Sequence, residues 1–251
     1  MRGKIFVVTH VAPDKKLPKG YEYIGVGSHN LDLTYSDKTG ESIAHLNPYF
    51  SELTAIFWIW KNYKCNADDF VGIMHYRRLL VDGWLSVLTK SPLNVDNITK
   101  VISKNSLIVP EKTYLPPNVY HNYLQEHDEN DLNLALSIAE RKDGLKKGTY
   151  VDFLKSQSSA HICNILICKK SIFDNYCSWL FPILFESLSQ INIEGRDAYQ
   201  KRIFGFLSER LLNVWLYDKN YLTKQLRMIR TDFAFVKNMN RRRLNKRWIN
   251  D

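Results

Sequence analysis

His75-Tyr76-Arg77-Arg78 places an imidazole, a phenol and two guanidiniums at the end of a short apolar run, Asp69-Phe70-Val71-Gly72-Ile73-Met74. The run reads as a buried strand, preceded by the polar Asn66 and Asp68. In open α/β sheets, ligands bind in the crevice beyond the carboxyl ends of the strands. Arginine's planar fork of N–H donors matches phosphate oxygens two at a time. The tetrapeptide therefore reads as a site for an anionic, phosphorylated ligand. The plainer alternative has Arg77 and Arg78 in surface salt bridges and Tyr76 in the core.

Other polar residues stand where a sheet-crevice site needs them. His10 ends a first strand, Lys4 to His10, and Glu52 lies near the amino end of the helix that links two strands. His127, Asp128 and Asp131 cluster between two helices, and Glu209-Arg210 sits amid Leu207, Leu211 and Leu212. A carboxylate beside an arginine in apolar surroundings is ordinarily a structural pair. Asp131 reads equally well as the N-cap of a helix through Arg141.

These residues need elements to carry them. Strands are expected at Lys4 to His10, Tyr23 to Val26, Asp69 to Met74, Asn105 to Pro110 and Ile162 to Cys168. Asn47-Pro48 reads as a cap followed by a first-turn proline, opening a helix to Tyr63 with Phe50, Leu53, Phe57 and Trp60 on one stripe. Val119 to His127, Asp131 to Arg141, Ser171 to Gln190 and Tyr199 to Tyr217 complete a helix-rich second half, with Pro182 placed to kink its helix. The alternation predicts an α/β fold with a mostly parallel central sheet flanked by helices, in one domain.

Composition narrows the class. The 251 residues are 45% hydrophobic and 24% charged, ordinary for a globular protein, and the apolar stretches are too short to span a bilayer. The amino terminus lacks the long apolar region of a secretory signal. Cys65, Cys163, Cys168 and Cys177 show no metal-ligand spacing. With Cys163 and Cys168 read in one strand, reduced thiols in a cytoplasmic protein are expected. The net charge of +9 is concentrated: residues 224–251 carry nine Lys/Arg against two Asp, leaving +2 for the rest. This predicts a domain at 1–223 and a basic tail at 224–251 suited to an anionic membrane surface, with nucleic acid or plain solvation as alternatives.

No P-loop, zinc-protease or serine-hydrolase signature occurs, and Gly25-Val26-Gly27 is only a fragment of a dinucleotide fingerprint. There is also no Asp-x-Asp pair of the kind that holds a divalent cation on a sugar-nucleotide diphosphate.

Pro48-x-x-Ser51-Glu52-Leu53-Thr54-Ala55-x-x-Trp58-Ile59-Trp60-Lys61-Asn62, followed by Gly72-x-x-His75-Tyr76-Arg77-Arg78, resembles a bacterial family of polysaccharide-synthesis glycosyltransferases. Its members serve capsule and O-antigen synthesis and were grouped as a domain of unknown function. The likeness continues through Phe173-Asp174-x-Tyr176-Cys177 and Tyr199-Gln200-Lys201-Arg202, and covers Lys4 to Trp215. Leu46, Glu41-Ser42 and Ala160 depart from the family's usual residues. The resemblance implies a GT-A-like domain that moves a sugar, galactofuranose in some members, from a UDP-sugar or related donor to a lipid-linked oligosaccharide at the inner face of the membrane. His10, Glu52, His75, Tyr76, Arg77 and Arg78 would hold the donor. His127, Asn164 and Arg202 would face the acceptor, and Asp131 or Glu209 would be the general base. No metal ligands are assigned, although Mn2+ or Mg2+ stays open as a cofactor. The alternative class is a non-catalytic module binding polysaccharide or nucleic acid through Tyr76, Trp58 and Trp60.

Overall fold

The computed structural model describes residues 2–14, 16–27, 31–104 and 107–230. Its core is an eight-stranded mixed sheet. The apolar run at the amino terminus forms β1 (Gly3–Thr9), flanked in parallel by β2 (Tyr21–Gly25) and β4 (Phe70–His75), with Ile5 opposite both Tyr21 and Gly72. A short β3 (Tyr35–Ser36) extends the β2 edge in parallel. A Cβ at Gly72 would lie 2.2 Å from Ile5 Cδ1 and 3.0 Å from Ile167 Cγ1, so glycine leaves the room that these two side chains fill.

The β3–β2–β1–β4 half is parallel as expected, whereas beyond β4 the sheet is mixed, with antiparallel pairings beside one parallel one. The HYRR segment is a tight hairpin: His75 pairs with Arg78, and β5 (Arg78–Val81) runs back along a different path. The start of β4 instead pairs antiparallel with β9 (Leu166–Lys169), Phe70 lying opposite Lys169. β6 (Leu107–Pro110) pairs with β9, and β10 (Thr223–Arg230) lies between β5 and β6, antiparallel to one and parallel to the other. The strands β4, β5, β10, β6 and β9 thus form a closed circuit. Residues 224–230, expected in the basic tail, are therefore part of the sheet, with Leu226 buried in the core. The expected tail beyond them, 231–251, lies outside the described residues.

Helices cover the sheet. The predicted helix from Asn47 to Tyr63 is divided into α1 (Asn47–Phe50) and α2 (Leu53–Asn62). Leu46, not Asn47, occupies the cap position, without a side-chain bond. Phe50, Leu53 and Phe57 are buried against α8 (Lys170–Leu188), which contains Pro182, and α9 (Ile203–Lys219). Phe50 stacks on Phe204 and Phe57 meets Phe181 edge-on. Each such side chain contributes roughly 1.5–3 kcal/mol by leaving water. On the same side α5 (Val119–Leu124) and α6 (Glu129–Asp143) pack with α7 (Thr149–Ser156). Asp128, not Asp131, caps α6, accepting from Asn130 N–H. On the other face α4 (Val95–Ile102) buries Ile98 and Ile102 beside Ile5, Val7 and Phe70. A short α3 (Gly83–Thr89) follows β5. A separate pair, β7 (Thr113–Tyr114) and β8 (Ser159–Ala160), joins two loops. Among the described residues no helix is long and apolar enough to cross a membrane.

Candidate active site

A cleft of about 590 Å³ opens at the carboxyl ends of β1 and β4. His10, Glu52, His75, Tyr76, Arg77, Arg78 and Arg202 all line it, although they come from widely separated parts of the chain. The β4–β5 hairpin presents Tyr76 and Arg77 at its tip, and Tyr76 N–H donates to Val8 O at 3.1 Å, tying the tip to β1. The Arg77 guanidinium lies 4.8 Å from the Tyr76 ring centre, and the same ring meets His10 edge-on. The arginine is thus steered by an aromatic face.

Glu52 reaches the cleft because the helix breaks. Ser51 has φ 52° and ψ −127°, a conformation that side chains disfavour, and it interrupts the α1–α2 path just before Glu52. Gly205 packs close behind it: a Cβ there would sit 3.6 Å from Ser51. Arg202 Nε donates to Ser51 Oγ at 3.0 Å, so the break also anchors a cleft cation. Gly27, at φ 86°, stands where a Cβ would lie 3.2 Å from Oδ1 of the lining residue Asn47.

A second strained turn lies under the floor. Cys163 and Asn164 both have positive φ, 75° and 49°, so Cys163 lies in a turn and not in the strand expected to contain it. The turn directs three polar contacts outward. Asn164 Nδ2 donates to Glu52 Oε1 at 2.7 Å, His75 Nε2 donates to Cys163 O at 2.6 Å, and Cys163 N–H donates to Glu209 Oε1 at 2.9 Å. Desolvation lowers the His75 pKa; Glu52 opposes this, and Arg78 and Arg202 reinforce it. Burial raises the Glu209 pKa, Arg210 holding it down and Glu52 pushing it further up. Asn164 Oδ1 is buried and meets no hydrogen-bond partner among the described residues.

The other expected site residues lie elsewhere. Asp131 is buried and gives both carboxylate oxygens to Arg196, one bond being 3.0 Å. It does not line the cleft, and its charge is matched where it stands. Glu209 is one layer below the cleft, bonded to the Cys163 amide and beside Arg210. His127 is stacked on Phe206, 4.3 Å between ring centres, and donates Nδ1–H to Gln200. Trp58 donates to Thr39 O at 2.7 Å and Trp60 stacks on Phe181, so both belong to the core packing and not to a binding face.

A family model described as a domain of unknown function, DUF4422, matches residues 4–220. The chain belongs to the DUF4422 family. Among solved structures it is similar to the apo structure of WbbM, a bifunctional glycosyltransferase, at 24% identity and a TM-score of 0.80. The match covers 92% of this chain and 46% of WbbM, so the chain spans about half of that protein's length. At this identity the likeness establishes a shared fold. No curated protein matches the sequence.

In this DUF4422 chain the cleft also takes in Lys201, Arg230, Asn47 and Ser51, which sequence reasoning passed over. Lys201 and Ser51 adjoin predicted site residues, a signal that was available. Arg230 had none, because its role depends on β10 entering the sheet beside Arg78. Among the described residues the lining carries five Lys/Arg side chains (Arg77, Arg78, Lys201, Arg202, Arg230) and a single carboxylate, Glu52. Among the described residues no three His, Cys, Asp or Glu side chains are grouped to hold a metal. A divalent ion in this lining would be held by Glu52 together with phosphate oxygens of a ligand.

Proposed function

We propose that this protein is a glycosyltransferase that moves a sugar from a nucleoside-diphosphate donor to an oligosaccharide acceptor. The observation that carries the reading is the cleft itself: five cations and one carboxylate gathered at the ends of parallel strands. A diphosphate leaving group gains negative charge as the glycosidic bond breaks. Fixed guanidiniums around it stabilise that charge without the cost of reorganising water. The fold shared with a protein described as a bifunctional glycosyltransferase supports the same class.

Glu52 is the acceptor-activating base in this reading, since it alone offers a carboxylate to the cleft among the described residues and Asn164 fixes one of its oxygens. It replaces Asp131, whose oxygens are committed to Arg196, and Glu209, which lies beneath the floor. A positioned base of this kind contributes about 10²–10⁴-fold to rate. We further assign the donor as a UDP-sugar, with galactofuranose as the sugar, and the acceptor as a lipid-linked oligosaccharide of capsule or O-antigen synthesis. The enzyme would work in the cytoplasm at the inner membrane face, its basic carboxyl-terminal residues on anionic lipid. The sequence resemblance supports these finer assignments.

The test is a thermal-shift screen against UDP-, GDP-, CMP- and dTDP-sugars, with and without Mn2+. A donor at 100 times its Kd should add about 2.7 kcal/mol of stability. The shift is expected for one nucleotide class and should be lost in Arg77→Ala and Arg78→Ala. Absence of any shift, or a shift indifferent to both arginines, would overturn the donor-site reading.

A further inference from the structure

The short helix α3 buries none of its residues, yet it is built from Gly83-Trp84-Leu85-Ser86-Val87-Leu88-Thr89. Trp84 is 74% exposed, Leu85 60% and Leu88 68%. These three lie within one turn of each other, so they form a patch and not a scatter of isolated apolar residues. Both ends of the helix are set by residues with positive φ. Gly83 has φ 78° with open space around it, and Lys90 closes the helix in the left-handed conformation. Between α3 and β10 runs a groove of about 360 Å³, with Trp84 and Val87 on one side and Lys224 and Arg227 on the other.

We propose that α3 is a membrane-docking element: Trp84, Leu85 and Leu88 enter the interface of an anionic bilayer while the neighbouring cations engage lipid phosphates. The charge around the patch selects this occupant. Lys90 ends the helix, and Lys224 and Arg227 are exposed beside it; Asp82 and Glu111 also line the groove. The chain beyond the described residues, 231–251, continues from Arg230 at the end of β10 and carries six Lys/Arg against two Asp in its sequence. Tryptophan and leucine presented with cations are the composition of an interfacial anchor, the indole lying at headgroup depth and each cation adding to the attraction. The proposal is independent of sugar transfer, because neither α3 nor its groove contributes to the cleft.

The test uses the full chain with phosphatidylcholine vesicles and with phosphatidylcholine–phosphatidylglycerol vesicles in a flotation assay. The wild type should bind the anionic vesicles and bind the zwitterionic ones weakly. The triple variant Trp84→Ser, Leu85→Ser, Leu88→Ser should lose about tenfold or more of the partition coefficient. Its melting temperature and its response to nucleotide-sugars should match the wild type, which separates this result from any failure of the donor site. Should the triple variant not fold, Trp84→Phe serves instead: quenching of tryptophan emission by brominated lipid should fall relative to wild type. Equal vesicle binding by wild type and variant, equal binding to both lipid compositions, or unchanged quenching in Trp84→Phe would overturn the proposal. So would a wild-type dimer that becomes monomeric in the variant with vesicle binding intact.

Discussion

His75 donates Nε2–H to the Cys163 carbonyl, and because a carbonyl can only accept, the neutral ring keeps its proton on Nε2 and leaves Nδ1 as the basic nitrogen. Burial at the cleft floor then sets a pH dependence. The pKa of His75 in the folded protein lies below the ordinary 6.5, with Glu52 opposing and Arg78 and Arg202 reinforcing the shift. The unfolded chain therefore takes up this proton first as pH falls. Stability from His75 is complete above pH 6.5 and declines below it, at no more than about 1.4 kcal/mol per pH unit for one proton. Glu209, with its raised pKa, works in the opposite sense, so the variant comparison isolates the histidine. His75→Gln offers an amide in place of the Nε2–H donor and does not titrate. In urea unfolding between pH 7.5 and 5, its stability should fall less steeply than that of the wild type. Identical slopes would mean that His75 is not desolvated in solution.

At the scale of elements, the break between α1 and α2 is the feature that delivers Glu52. A non-glycine residue held at Ser51's backbone angles costs on the order of 1–3 kcal/mol, which surrounding packing must offset. Ser51→Gly should relieve that cost and raise the melting temperature. It also deletes the hydroxyl that accepts from Arg202 Nε, so affinity for the donor should drop by roughly three- to tenfold in calorimetric titration. Stability and binding moving in opposite directions is the result that marks a strained functional turn; a parallel loss of both would refute it. The break was not legible in the sequence, because Phe50, Leu53 and Phe57 keep helical spacing across it and the apolar stripe reads as unbroken. The strands β1, β2, β4 and β6 were legible as short apolar runs bounded by polar residues. β5 was not, since Arg78 reads in the sequence as a ligand-binding residue at the end of β4 and not as the first residue of a returning strand. The HYRR half of the cleft could be seen because its residues are contiguous. The Glu52–Asn164 contact could not, because it joins residues 112 positions apart.

For the molecule as a whole, β10 decides where the folded body ends. A count of charge puts the boundary at 223, since Lys224, Arg227 and Arg230 resemble the basic residues after them. Strand formation follows different physics: one face of β10 puts Leu226 in the core with Met228 packed against it, while its backbone bonds to β5 on one side and β6 on the other. Those two strands otherwise lack a shared neighbour, so removing β10 opens the circuit and exposes two strand edges together with the floor beneath Arg78. A chain ending at Leu222 should therefore be recovered mainly as aggregate. A chain ending at Arg230 keeps every strand pairing described and should melt cooperatively. The two truncations differ by eight residues, and their comparison by circular dichroism and size-exclusion chromatography separates a charged appendage from an integral strand. If the shorter chain melts as cooperatively as the longer, β10 contributes no more than its charge, and Arg230 belongs with the segment that follows it.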